Sequence, residues 1–106
     1  MHTRVLALVC AFAVQAAPAA DEVVAMQSAR SLAATCAACH GTDGRSDVPG
    51  TPVLAGLERD LILTKLKGFR DPAFKGDAMH HLANGYTAEQ EAMLATYFAS
   101  LSKEAR

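Results

Sequence analysis

Residues 36–40 read Cys36-Ala37-Ala38-Cys39-His40, and this pentapeptide constrains the chain more than any other feature. Cysteines three apart lie on one side of a helical turn, so both sulfurs reach the vinyl groups along one edge of a haem. The next residue, His40, then lies beneath the ring and offers an imidazole nitrogen to the iron. Thioether bonds fix the ring, so the adjacent histidine meets the metal. The expectation is one covalently bound haem, with the fold built around it.

Two other chemistries use paired cysteines. A structural zinc site wants four Cys or His ligands in two clusters, but the remaining histidines are His2, His80 and His81, and there is no second cysteine pair. A thiol–disulfide site places its pair at a helix N-terminus, usually beside a βαβ pattern. Here the pair ends an alanine-rich helical stretch with no strand pattern before it. The haem reading is preferred to both.

The start of the chain has the form of an export leader. His2 and Arg4 give a modest basic beginning, Val5 to Val14 is an unbroken apolar run, and Ala17-Pro18-Ala19 offers a small-x-small cleavage signal. The run is short for a bilayer span; an uncleaved anchor is the alternative. Cys10 lies within it as a small hydrophobe. Residues 1–19 are therefore expected to be a cleavable signal peptide and 20–106 a single domain, cut after Ala19 or Ala20, with a periplasmic destination. Haem attachment through Cys36 and Cys39 leaves no free thiol in such a mature chain, which suits an oxidising compartment.

Removing the leader leaves about 87 residues, enough for one small core that a buried haem would enlarge. Loss of Arg4 takes the ten basic residues to nine against 11 acidic, a net charge of −2. No basic stripe interleaves with aromatics, so nucleic acid is not an expected partner. No stretch of residues 20–106 is apolar enough to span a bilayer.

Three helical segments separated by Gly/Pro-rich loops account for the mature region, and the fold class is all-α. The first runs from about Glu22 to Cys39, with Ala25, Ala29, Leu32 and Cys36 at helical spacing. Gly41-Thr42-Asp43-Gly44 breaks it, and the loop continues through Pro49, Gly50 and Pro52. A second helix spans Glu58 to about Phe69, with Ile62, Leu66 and Phe69 on one face. The third opens on Thr87-Ala88-Glu89-Gln90, which has the form of a capping box. Leu94, Tyr97, Phe98 and Leu101 then make its apolar stripe.

An electron carrier wants both axial positions of its iron filled, and a thioether raises the potential relative to two imidazoles. The candidates are Met26, Met79, Met93, His80 and His81. Met26 sits on the helix that carries His40, and Met93 belongs to the last helix, where methionine commonly fills core. Met79, placed in the loop before that helix, approaches from a separate segment and is preferred. His80 is the competitor, since a shift of one residue would give bis-histidine ligation. Lys65, Lys67, Arg70 and Lys75 cluster in sequence and either steer an acidic partner or form an ordinary solvated face.

These residues together resemble a class I c-type cytochrome. The resemblance rests on Cys36-x-x-Cys39-His40 ending a first helix, Pro52-x-Leu54-x-Gly56 in the loop, a lone Met79, and a last helix containing Leu94-x-x-Tyr97-Phe98. It covers nearly the whole mature chain. Within that class, Met79-His80-His81 followed by Gly85-Tyr86-Thr87, with Leu66-Lys67-Gly68-Phe69-Arg70, is most similar to the single-haem cytochrome subunit of flavocytochrome c sulfide dehydrogenase.

The resemblance implies a class I cytochrome c fold of about three main helices around one haem c. It implies Cys36 and Cys39 as thioether attachments, His40 and Met79 as axial ligands, and the Pro52 carbonyl as acceptor of a hydrogen bond from the His40 ring. Tyr97 would pack between the first and last helices. Leu54, Ile62, Leu66 and Phe74 are candidate haem-facing side chains, with plain core as the alternative. The implied function is one-electron transfer without a catalytic site of the chain's own, accepting electrons from a FAD-bearing flavoprotein subunit that oxidises sulfide. Free periplasmic shuttles of the c553 or c4 type are the alternative. A haem enzyme or gas sensor with an open iron position is the reading from a different class.

Overall fold

The computed structural model describes residues 13–104; residues 1–12, with His2, Arg4, Cys10 and most of the expected leader, lie outside them. Among the described residues all regular structure is helical. Helix α1 (Ala20–Ala33) carries Asp21 and Glu22 in its first turn, where negative charge suits the helix dipole. It passes through a 3-10 turn at Ala34–Cys36 into a last α turn, α2 (Ala37–His40). The motif thus rides on the end of a nearly continuous helical rod, close to the expected span.

Gly41 stops the rod with φ 76°, and a Cβ there would stand 2.7 Å from the Arg45 carbonyl oxygen, so a side chain has no room. A tight turn at Thr42–Gly44 follows. The long loop then folds back on its own start: the Gly44 carbonyl accepts from the Leu54 N–H at 2.8 Å and the Ala55 N–H at 3.3 Å. It is also fastened to the end of the last helix, where the Gly56 N–H donates to the Phe98 carbonyl at 2.8 Å.

Helix α3 (Arg59–Phe69) buries Ile62 and Leu66, four residues apart on one stripe. A Pro72–Phe74 turn, capped by the Asp71 carboxylate at 2.8 Å from the Ala73 N–H, leads onward. Helix α4 (Ala78–Asn84) was not expected from the sequence. Seven residues are too few to display a periodic stripe, and its signal is the cap: Asp77 Oδ1 accepts from the Met79 N–H at 2.7 Å. Met79 is therefore a first-turn helical residue rather than a loop residue.

Helix α5 (Ala88–Ser100) has the full capping box, the Gln90 N–H donating to Thr87 Oγ1 at 3.2 Å and the Thr87 N–H to Gln90 Oε1 at 2.9 Å. Its Leu94, Ala95, Tyr97 and Phe98 form the centre of the core, with Ala29 and Ala33 of α1 on one side and Ile62 and Leu66 of α3 on the other. The alanines on α1 let that helix approach closely. Full burial of a side chain such as Leu94 stabilises by about 1.5–3 kcal/mol, so this three-helix junction is where the fold is held. No helix among the described residues is long and apolar enough to cross a membrane.

Candidate functional site

His40 is buried, with 8% of its surface exposed, at the end of α2. Its Nδ1 lies 2.8 Å from the Pro52 carbonyl oxygen. A carbonyl only accepts, so Nδ1 carries a proton and, in the neutral ring, Nε2 keeps its lone pair. Pro52 has no N–H of its own, and its fixed φ helps aim the carbonyl. This bond was implied by the resemblance alone, and it orients the ring as carbonyls commonly orient metal-binding histidines.

Cys36 and Cys39 are both free thiols, the first half-buried and the second exposed. Burial pushes the Cys36 thiol up from its ordinary value, an effect opposed by the Thr35 and Tyr86 hydroxyls beside it. Those hydroxyls form an ordered chain. Thr35 Oγ1 donates to the Leu32 carbonyl at 2.8 Å, so the contact between Thr35 Oγ1 and the Tyr86 hydroxyl at 3.0 Å is donated by Tyr86. The corner between α4 and α5 is thereby tied to the residue preceding Cys36.

Met79 is half-buried and packs against the core cluster that Cys36 and Leu54 also border. Met93 packs there too, from α5, while Met26 is 42% exposed in the middle of α1. His80 turns toward the end of α3, its Nδ1 2.7 Å from the Phe69 carbonyl, and His81 is exposed, edge-on to His80. Ile62 and Leu66 lie within the core and Leu54 against it. Phe74 is apart from them, 43% exposed and edge-on to Phe69 with centroids 5.4 Å apart.

Arg70 differs most from its expected role. Its side chain is 38% exposed, yet its guanidinium is engaged by other parts of the fold. Nη2 lies 2.6 Å from Glu91 Oε1 and 3.1 Å from the Tyr86 carbonyl, and Nε donates to the Ala83 carbonyl at 3.3 Å. Lys65, Lys67 and Lys75 are exposed. Glu91 was missed, although its position carried a signal: it precedes Leu94, Ala95 and Phe98 at helical spacing, so an acid stands on the apolar stripe.

Among the described residues no three His, Cys, Asp or Glu side chains are grouped to hold a metal ion. The residues fit a haem held through two sulfurs. Two unpaired thiols sit on one turn, followed directly by an imidazole whose Nε2 lone pair is set by the carbonyl behind it.

A family model for cytochrome c matches residues 26–102. The cytochrome subunit of sulfide dehydrogenase from Chlorobaculum tepidum is 38% identical over 69% of this chain and 66% of its own length. Cytochrome c-554(548) of Halomonas halodenitrificans is 38% identical over 62% of this chain and 83% of the relative. Cytochrome c-553 of Nitratidesulfovibrio vulgaris is 33% identical over 86% of both chains. This chain therefore spans just under two thirds of the sulfide dehydrogenase subunit and most of the other two.

Proposed function

Because this chain belongs to the cytochrome c family, with covalently bound haem c and electron transfer as its function, we propose that it is a His40/Met79-ligated one-electron carrier exported to the periplasm. The first 19 residues act as the leader and residues 20–106 as the mature domain. The haem, when bound, supplies a one-electron iron couple and nothing further is asked of it.

The chain's own residues do the rest. Cys36 and Cys39 would hold the group to the end of the first helical rod as thioethers, each S–H adding across a vinyl double bond with its hydrogen passing to the other vinyl carbon. His40 presents Nε2 while the Pro52 carbonyl holds its Nδ1 proton and so maintains the ring's tautomer and plane. Met79 presents its sulfur from α4. Leu54, Ile62 and Leu66 exclude water, which keeps reorganisation small as the electron enters and leaves. The observation that carries this reading is the 2.8 Å His40–Pro52 contact. Replacing Met79 with alanine is the direct test: the weak red-region absorption of sulfur ligation disappears and the reduction potential falls. Persistence of both in the variant eliminates Met79 as ligand.

For the electron donor, the sulfide dehydrogenase relative supports a flavoprotein subunit that oxidises sulfide. In that assembly this chain would hold no catalytic site and would receive single electrons from the flavin partner. The free-shuttle reading draws on the c-553 relative, which aligns over most of both chains. Purification from the periplasm separates them. A flavoprotein travelling with the haem band, and reduction of that band by sulfide, supports the subunit; a lone monomer unreactive to sulfide supports the shuttle.

A further inference from the structure

Helix α4 has only seven residues. Isolated helices shorter than about 12–15 residues are marginal in water, so contacts with the rest of the fold must hold it. At its C-terminal end the carbonyls lack intrahelical partners and carry the negative end of the dipole. Arg70, the residue that closes α3, meets both needs. Nε donates to the Ala83 carbonyl at 3.3 Å, and Nη2 donates to the Tyr86 carbonyl just beyond α4 at 3.1 Å. The same nitrogen stands 2.6 Å from Glu91 Oε1 in the first turn of α5. That last contact lies outside hydrogen-bond geometry, so its attraction is chiefly Coulombic.

Glu91 is only 2% exposed. A carboxylate there is costly without a cation, and removing one partner of such a pair leaves the other charge stranded. One guanidinium therefore joins the end of α3, the end of α4 and the start of α5. Ala83, whose carbonyl it holds, has no exposed surface at all. Met79 lies one turn before Ala83 on the same short helix.

We propose that the Arg70–Glu91 pair is a latch that positions Met79, keeping its sulfur engaged by fixing the C-terminal end of α4. Arg70 acts through α4 and touches no reacting atom. The proposal rests on Met79 being the axial ligand. Imidazole competes with a thioether for ferric iron, and its apparent affinity scales with the fraction of molecules in which the sulfur has let go. Competition by imidazole therefore reads the latch directly.

The experiment titrates ferric holoprotein with imidazole, following the red-region absorption. Arg70→Gln raises the apparent imidazole affinity by about tenfold or more, as a tenfold larger open fraction requires. Glu91→Gln raises it in the same direction. Arg70→Lys keeps the charge but not the planar fork that reaches two carbonyls, and falls between. Tyr97→Phe, a stability control in the α1–α5 junction away from α4, leaves the affinity within about twofold. If Arg70→Gln does not mature, Arg70→Lys carries the same comparison. Arg70 and Glu91 variants that shift imidazole affinity no more than Tyr97→Phe overturn the latch. If Met79→Ala itself leaves imidazole affinity unchanged, the ligand assignment has failed first; if Met79→Ala raises it and the Arg70 variants do not, only the latch has failed.

Discussion

The Tyr97 hydroxyl donates to Asp43 Oδ1 at 2.7 Å, joining the core of α5 to the turn that follows His40. Asp43 is held there in a left-handed backbone conformation, φ 54°, which is uncommon for a residue with a side chain. Burial and the Asp43 carboxylate both push the Tyr97 phenol above its ordinary value of 10. A raised folded-state value means that the stabilisation is complete below pH 10 and is lost as pH rises through the folded value. Tyr97→Phe should cost about 1–3 kcal/mol at neutral pH. The variant should then lose less stability than the parent above pH 10, so the two curves converge. Denaturant melts between neutral pH and pH 11 check this; parallel curves would contradict it.

Gly44 has φ 72°, and a Cβ there would lie 2.8 Å from both Leu54 Cβ and Phe98 Cε1. Neither atom is the free end of a flexible chain. Gly44→Ala combines left-handed strain of about 1–2 kcal/mol with overpacking of about 1–3 kcal/mol. A loss of about 2–5 kcal/mol in chemical denaturation is therefore expected, and a loss under about 1 kcal/mol would show that the loop yields easily.

Which parts of this arrangement were legible in the sequence follows from the range of the interactions that make them. The capping box at Thr87 and Gln90 is local, and it stands as its spacing indicated. So do the stripes of α3 and α5, because a periodic apolar face shows in a window of about three turns or more. Helix α4 escaped because two turns fall below that window, although Asp77 before Met79 was a usable cap signal. Arg70 was grouped with its lysine neighbours because charge clusters in sequence do not reveal distant partners. Glu91 lies 21 positions away and the Tyr86 carbonyl 16. Within the candidate site, the Cys36–His40 spacing needed no structure at all, whereas the Thr35–Tyr86 contact spans 51 positions and had no sequence signature.

The His40 Nδ1 proton, held against the Pro52 carbonyl, should exchange slowly with solvent in the ferrous holoprotein. Pro52→Ala retains the carbonyl and so retains the bond. Its cost is confined to lost chain stiffness, about 0.4–1 kcal/mol. Proton NMR of the ring N–H measures the first point and thermal melts the second. Exchange at the free-solvent rate in the parent would mean that the carbonyl does not hold the ring.

The hydroxyl contact between Thr35 and Tyr86 fastens the end of the first helical rod to the corner between α4 and α5. Both residues flank functional groups, since Thr35 precedes Cys36 and Tyr86 supplies a carbonyl to Arg70. Thr35→Val removes the acceptor and Tyr86→Phe the donor, with little change in shape. A double-mutant cycle should give a coupling of about 0.5–1.5 kcal/mol, the net worth of one neutral hydrogen bond. The single variants should cost different amounts, because Thr35→Val also forfeits the bond to the Leu32 carbonyl. Zero coupling would mean that water satisfies each hydroxyl separately, and that the corner is held by Arg70 without help from α1.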